Sequence, residues 1–258
     1  MAWETGSFIN TDAGNLITVF DVDLVANAKW SIFDAAAGTN CKVYRCYDAA
    51  ENVDFYVKVD DNYTGYAVIE LWEGWNEGTH TGTGSSLTTC GGYAMQIYRP
   101  IGGWLMSVRN HRFIFINATY CGTYIGQLVR YDTTKNMPVY IGSQVQTDWN
   151  AIGYYDSASL SAWWTLFDEI GSQRLLCSYG YYTSYKFIKT IAGTMLISET
   201  PIFNDTSKLV LGLMEGSMHL YDADNGLANG DIISINGIEW IAIGGLSSPK
   251  YWNLVEKA

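Results

Sequence analysis

The sequence predicts an all-β protein, mainly antiparallel and of sandwich or barrel type, with one short N-terminal helix. Three observations predict it. From Trp30 onward, apolar and polar residues alternate in short runs. Turn residues punctuate these runs at the close spacing of antiparallel sheets. Asn236–Gly237, set between the runs IISI and IEWIAIG, is the strongest hairpin signal in the chain.

The helix comes first. In AGNLITVFDVDLVANAKW, Leu16, Phe20 and Leu24 recur every four residues with Ile17 beside them, which makes one apolar helical face. Thr11 or Asp12 is placed to cap its start. The period then becomes two. NCKVYRCY alternates, and in DFYVKVDD the residues Phe55, Val57 and Val59 oppose Tyr56, Lys58 and Asp60. DDNYTG reads as a turn, with Gly65 supplying a positive φ, and YAVIELWEGW as the returning strand. Gly74–Ser86, rich in glycine and hydroxyls, reads as a loop. Further strands are expected at Tyr93–Pro100, at Gly102–Asn117 with a turn at Arg109–Asn110–His111, and at Gly122–Asp132. Around Trp149 the periodicity weakens. Strands resume in SQRLLCSYGYY, YKFIKTIAG and TMLISETPIF. The chain therefore reads as two β lobes, 1–150 and 151–258, or as one domain.

Composition bounds the function. The 258 residues carry a net charge of −11, only 16% are charged, and 19 Tyr and 10 Trp raise aromatics to 15%. Acidity without a basic stripe argues against a nucleic-acid partner. MAWETGSFINTD lacks the regions of a signal peptide, and no apolar run approaches the ~18 residues of a membrane span. No membrane partner is expected, and the sequons at Asn62, Asn117 and Asn204 read as chance. The five cysteines contain no CxxC pair, and Cys41 and Cys46 would point to opposite faces of one strand, so they read as small buried hydrophobes.

Motifs for chemistry are weak. His80, His111 and His219 lack a second ligand at metal spacing, and His80 is expected to face solvent from a loop. Gly78–Ser86 lacks the lysine of a phosphate loop. No GxSxG is present, and the serine near His219 in GLMEGSMH does not by itself make a dyad. Asp222, Asp224, Asn225, Asn229 and Asp231 are oxygen-rich, but an EF-hand needs a ligand where Gly226 stands. The expectation is no catalytic residue, no metal, no cofactor and no enzymatic turnover. What the sequence offers is large amphipathic rings, suited to the centres of interfaces. Tyr56, Trp72, Trp75, Trp104, Trp163 and Trp164 are the candidate interface residues. The competing reading is a carbohydrate-binding module in which tryptophans stack on sugars. A glycan-degrading enzyme would need two carboxylates about 5–10 Å apart, a distance sequence does not give.

WSIFDAAAGTNCKVYR, FYVKVDD, the strand ending in LWEGW, and THTGTG together resemble segments of a group of tailed-bacteriophage virion structural proteins. The matching positions are Trp30, Phe33, Gly38, Thr39, Asn40, Val43, Tyr44, Arg45, Phe55, Tyr56, Val59, Asp60, Asp61, Thr81, Gly82, Thr83 and Gly84. HRFIFIN is similar to a middle strand of that group, with His111 where an acid is common. GLMEGSMHLYDADNGLANGDII is similar to its ending, without a proline found there. Residues 149–185 match poorly. The resemblance implies a structural part of the virion, in the tail, baseplate or neck, assembled in the host bacterial cytoplasm. Its partners would be copies of itself and other virion proteins, with a surface glycan as the alternative partner of an adhesin.

Overall fold

The computed structural model describes residues 4–90, 93–117, 122–127, 129–130, 138–142, 151–156, 159–163, 166–167, 173–174, 196–203, 210–221, 227–228, 230–244 and 251–257. Its strands begin with β1 (Glu4–Phe8), β2 (Trp30–Gly38), β3 (Cys41–Asp48), β4 (Val53–Tyr63), β5 (Tyr66–Asn76), β6 (Thr81–Leu87), β7 (Thr89–Cys90) and β8 (Tyr93–Tyr98). They continue with β9 (Gly102–Arg109), β10 (Arg112–Asn117), β11 (Gly122–Gly126), β12 (Val129–Arg130), β13 (Val139–Gly142), β14 (Ala151–Asp156) and β15 (Ser159–Trp163). The last are β16 (Leu166–Phe167), β17 (Gln173–Arg174), β18 (Leu196–Phe203), β19 (Val210–Tyr221), β20 (Ile232–Ile235), β21 (Ile238–Gly244) and β22 (Tyr251–Glu256). All the described pairings are antiparallel, and the described residues are all-β with one short helical segment.

Three larger sheets organise the described residues. The first has the order β2-β3-β4-β5-β8-β7, with β6 also on β5; the second β1-β9-β10-β11-β13-β14-β15; the third β12-β19-β22-β21-β20, with β18 also on β19. In the second sheet β13 and β14 pair directly, Val139 opposite Tyr154, so that sheet runs on across residue 150.

Period-two patterning explains the main core. Val53, Phe55, Val57 and Val59 of β4, Ala67, Ile69 and Leu71 of β5, and Met95 and Ile97 of β8 turn one face inward. Met106, Phe113, Phe115 and Ile125 meet them from the second sheet. Trp30 bridges the two, edge-on to Phe55 and Phe113 with centroids 5.6 Å away in each case. The helical segment, α-helical over Asn15–Val19 and π-helical over Phe20–Leu24, buries Leu16, Ile17, Phe20 and Leu24 in this core.

The cap of that helix is neither Thr11 nor Asp12. Asp61 of β4 receives the Leu16 and Ile17 N–H groups on Oδ2 at 2.8 and 3.4 Å, from about 45 positions down the chain. Sequence rules look for caps next to the helix, and a cap delivered by tertiary contact is invisible to them. Two other expectations change. Gly74–Ser86 is not a loop: β6 pairs with β5, Trp75 opposite Gly82, and the turn is confined to residues 77–80. DDNYTG narrows to a turn at Thr64–Gly65, because Tyr63 still pairs with Tyr66 beyond a register shift. The turns at Asn110 and at Asn236–Gly237 lie where expected, with φ of 45°, 53° and 81°. Of the later expected strands, residues 175–195 lie outside the described residues.

Strand β10 is buried on both faces. Phe113 and Phe115 enter the main core, while Arg112, Ile114 and Ile116 turn the other way. There the third sheet approaches, and Ser107 Oγ donates to the Glu256 carbonyl at 2.9 Å. A smaller cluster of Trp240, Ala242 and Leu254 holds that sheet together.

Candidate functional site: the aromatic surfaces

The outer face of the first sheet gathers three of the candidate residues. Tyr56 lies on β4, on the opposite face from Phe55 and Val57. Trp72 and Trp75 are three apart on β5, a spacing that would normally part them. The register shift beside them places its extra residue on β6, where Gly84 and Ser85 stand against Glu73 of β5; Trp75 nevertheless joins the outer-face cluster, and the two indole rings meet edge-to-face at 6.3 Å. With Val43, Phe33 and Ala37 they form a second apolar cluster, in which Tyr56 and Trp75 are buried. Arg45 extends it. Its guanidinium lies 4.4 Å from the Tyr47 ring centroid and 5.5 Å from that of Tyr56, and is held by Asp54 through bonds of 2.8 and 2.7 Å.

A buried carboxylate orders one end of this face. Asp34 accepts from Trp75 Nε1 at 2.8 Å and from the Ala36 N–H at 2.9 Å, and His80 Nδ1 lies 2.8 Å from Asp34 Oδ2. Burial alone would raise the Asp34 pKa; the bonds to His80, Trp75 and Ala36 outweigh it and hold the carboxyl below its ordinary value. His80, expected to face solvent, is half-exposed and tied to this acid, with its backbone at φ 52°. The sequence held one signal for this arrangement: the THTGTG alternation is itself period two.

Trp72 and Trp104 share another role. A Cβ added to Gly82 would stand 2.0 Å from the Trp72 ring, and one added to Gly6 would stand 2.6 Å from Trp104. Each indole lies across a glycine of the neighbouring strand, Gly6 being directly opposite Trp104. Such rings cover the backbone that a glycine leaves bare. Trp104 also packs on Phe115, centroids 6.0 Å apart, beside the main core. Tyr56, Trp72, Trp75 and Trp104 are therefore engaged mostly within the chain. Trp163 ends β15 and its side chain lies outside what is described, as does Trp164 altogether.

A surface that sequence reasoning missed lies at one end of the sandwich. Tyr63, Tyr66 and Tyr98 stand opposite one another across β4, β5 and β8. Tyr63 and Tyr66 stack at 4.9 Å with an 11° interplanar angle, and Tyr66 lies 6.1 Å from Tyr98. The Gly65 N–H donates to the Thr11 carbonyl at 3.1 Å and the Arg99 N–H to the Gly65 carbonyl at 2.7 Å. These bonds bring residues 9–12 and 98–101 beside the turn. Here Ile9 is 86%, Ile101 65% and Tyr63 41% exposed.

Both surfaces offer stacking area and aliphatic contact. Among the described residues no three of His, Cys, Asp and Glu converge as a metal site would need, and no helix is long and apolar enough to cross a membrane. The class defined by fold and surface is an all-β, antiparallel protein with aromatic-rich outer faces. Compared with known proteins, the chain matches no family model and no curated protein.

Proposed function

We propose that this chain is a structural component of a tailed-phage virion, built into the tail, baseplate or neck, where it docks with copies of itself and with other virion proteins without enzymatic turnover. The observation that carries the reading is the ordered series of segments from Trp30 to Gly84 that resembles that group, followed by HRFIFIN and the C-terminal stretch. The positions concerned belong to the framework: Trp30 bridges two sheets, Tyr44 and Phe55 are core, and Gly82 lies beneath Trp72. The exposed Ile9, Tyr63 and Ile101 supply the uncharged contact area that interface centres use. The test is mass spectrometry of purified particles with localisation in a particle map. A fixed copy number at a defined ring supports the reading, and absence of the chain from purified particles refutes it.

A second reading has its own observation. The exposed Tyr63 ring, held flat on Tyr66, is a platform of the kind that stacks on a sugar. A glycan array with wild type and Tyr63→Ala separates the readings. Saturable binding lost in the variant favours an adhesin, and no binding leaves the structural role.

A further inference from the structure

Strand edges attract other strands, and proteins blunt them with charges, prolines or bulges. Several edges here are blunted. β2 carries two register shifts around the buried Asp34. β18 contains Pro201 between irregular pairings. β1 carries Glu4, with Gly6 beneath Trp104. β20 is different. Its sequence is Ile-Ile-Ser-Ile, its register with β21 is unbroken, and among the described residues it pairs with β21 alone. Ile232 is 56% and Ile238 40% exposed. An uncharged edge stands out in a chain of net charge −11.

The phase of the hairpin fixes which backbone groups are free. Ile235 and Ile238 flank the Asn236–Gly237 turn, and in a two-residue hairpin that flanking pair exchanges hydrogen bonds. Ile233 and Ile235 therefore bond towards β21, while Ile232 and Ser234 point their N–H and C=O outward. The Ala242 N–H donating to the Asp231 carbonyl at 2.8 Å fits this phase. Ile233 and Ile235 share the face of Trp240 and its apolar cluster.

We propose that β20 pairs antiparallel with β20 of a second copy, about a two-fold axis through Ser234. In this register Ser234 faces the partner's Ser234 and the two exchange a pair of backbone hydrogen bonds. Ile233 faces the partner's Ile235, and the converse, so the Trp240 clusters of both copies become one. A two-fold through Ile233 instead would set Asp231 against isoleucine. Lys257 pairs with Glu239 on the neighbouring strand, so no uncompensated charge is brought to the axis. The occupant is a second copy because the strand is complementary to itself. The inference deepens the self-assembly in the proposed function and is independent of the virion.

Sedimentation of the purified full chain at concentrations up to about 1 mM tests it, since weak pairing registers there. A concentration-dependent dimer is expected. Ser234→Pro removes only an outward N–H, so it should keep the wild-type circular dichroism and Tm while weakening self-association at least about ten-fold. Under mild oxidation Ser234→Cys should form a disulfide dimer that wild type, Ile232→Cys and Ile233→Cys do not. A wild-type chain that stays monomeric, a dimer unaffected by Ser234→Pro, or cross-linking at Ile233→Cys rather than Ser234→Cys would overturn the proposal. None of these results bears on whether the chain is found in particles, so the two readings fail separately.

Discussion

Arg99 and Arg112 are both fully buried, yet their surroundings differ in kind. Arg99 meets Asp61 Oδ1 through Nε at 2.7 Å and donates to the Asp12 and Tyr63 carbonyls, each at 2.7 Å. Asp61 in turn caps the helix, so one pair ties together the helix, the β4–β5 turn and β8. Burial pushes the Asp61 pKa up, against the opposing pull of Arg99 and the two amides. Among the described residues Arg112 has no such acid. Its Nη1 donates to the Ser107 carbonyl and hydroxyl, both at 3.0 Å, while Nε and Nη2 have no partner among the described residues. The nearby acids Glu215 and Glu256 are bonded to Arg109 instead. Burial depresses the Arg112 pKa. The lesson is that burial alone says nothing about what an arginine contributes. A paired charge makes its site hard to break, whereas an unpaired one carries a desolvation cost with little return.

The comparison predicts its own hierarchy. Asp61→Ala strands a buried guanidinium and uncaps the helix, and should cost about 3–5 kcal/mol in denaturant unfolding. Arg112→Met should cost less than half as much, because it removes a desolvated charge along with two hydrogen bonds; an equal cost would erase the distinction. Gly216→Ala comes next. Its Cβ would stand 2.0 Å from Arg112 Nη2 at a φ of +69°, which should cost about 1–3 kcal/mol. In an Arg112→Met background the loss should shrink by about 0.5 kcal/mol or more, the signature of direct contact.

Acid should act through a different carboxylate. Asp48 is bonded to Lys29 at 2.5 Å and lies 3.0 Å from His111 Nε2, and these partners hold its pKa far below the ordinary carboxylate value. A folded-state pKa lowered in this way adds stability above the unfolded value, near about 4, and that stability is lost as pH falls through the lower folded value. Asp48→Asn should therefore weaken the fold at neutral pH and flatten the acid limb of its pH–stability curve. An unchanged limb would remove Asp48 from the account. The smallest effect concerns thiols. Burial raises the Cys41 pKa to about 11 and that of Cys46 higher still, so both should resist alkylation. Asp61→Ala, loosening the core that holds Cys46, should speed labelling, and Arg112→Met should leave its rate unchanged.

Much of the N-terminal half was legible from local pattern. Alternation placed β3, β4, β5, β9 and β10, and Asn-Gly placed the β20–β21 turn. The helix was legible because Leu16, Phe20 and Leu24 repeat at helical spacing. The candidate site was less legible. Tyr56, Trp72 and Trp75 do come together, although Trp72 and Trp75 are three apart on β5, a spacing that a period-two reading assigns to opposite faces. Trp104 belongs beside the core and over Gly6, which depends on a strand about a hundred positions earlier. The Tyr63–Tyr66–Tyr98 ladder was missed because its third member arrives on β8, a strand whose pairing partner sequence does not name.

By itself the sequence determined the class of fold, the phase of most described strands up to β11 and the positions of the tight turns, because side-chain periodicity and glycine or asparagine conformation act over a few residues. Tertiary structure decided the helix cap at Asp61, the tying of His80 to Asp34, the partnering of Arg99 and the isolation of Arg112. Those outcomes depend on which distant backbone and charge come within hydrogen-bonding reach, and only the packed chain sets that distance.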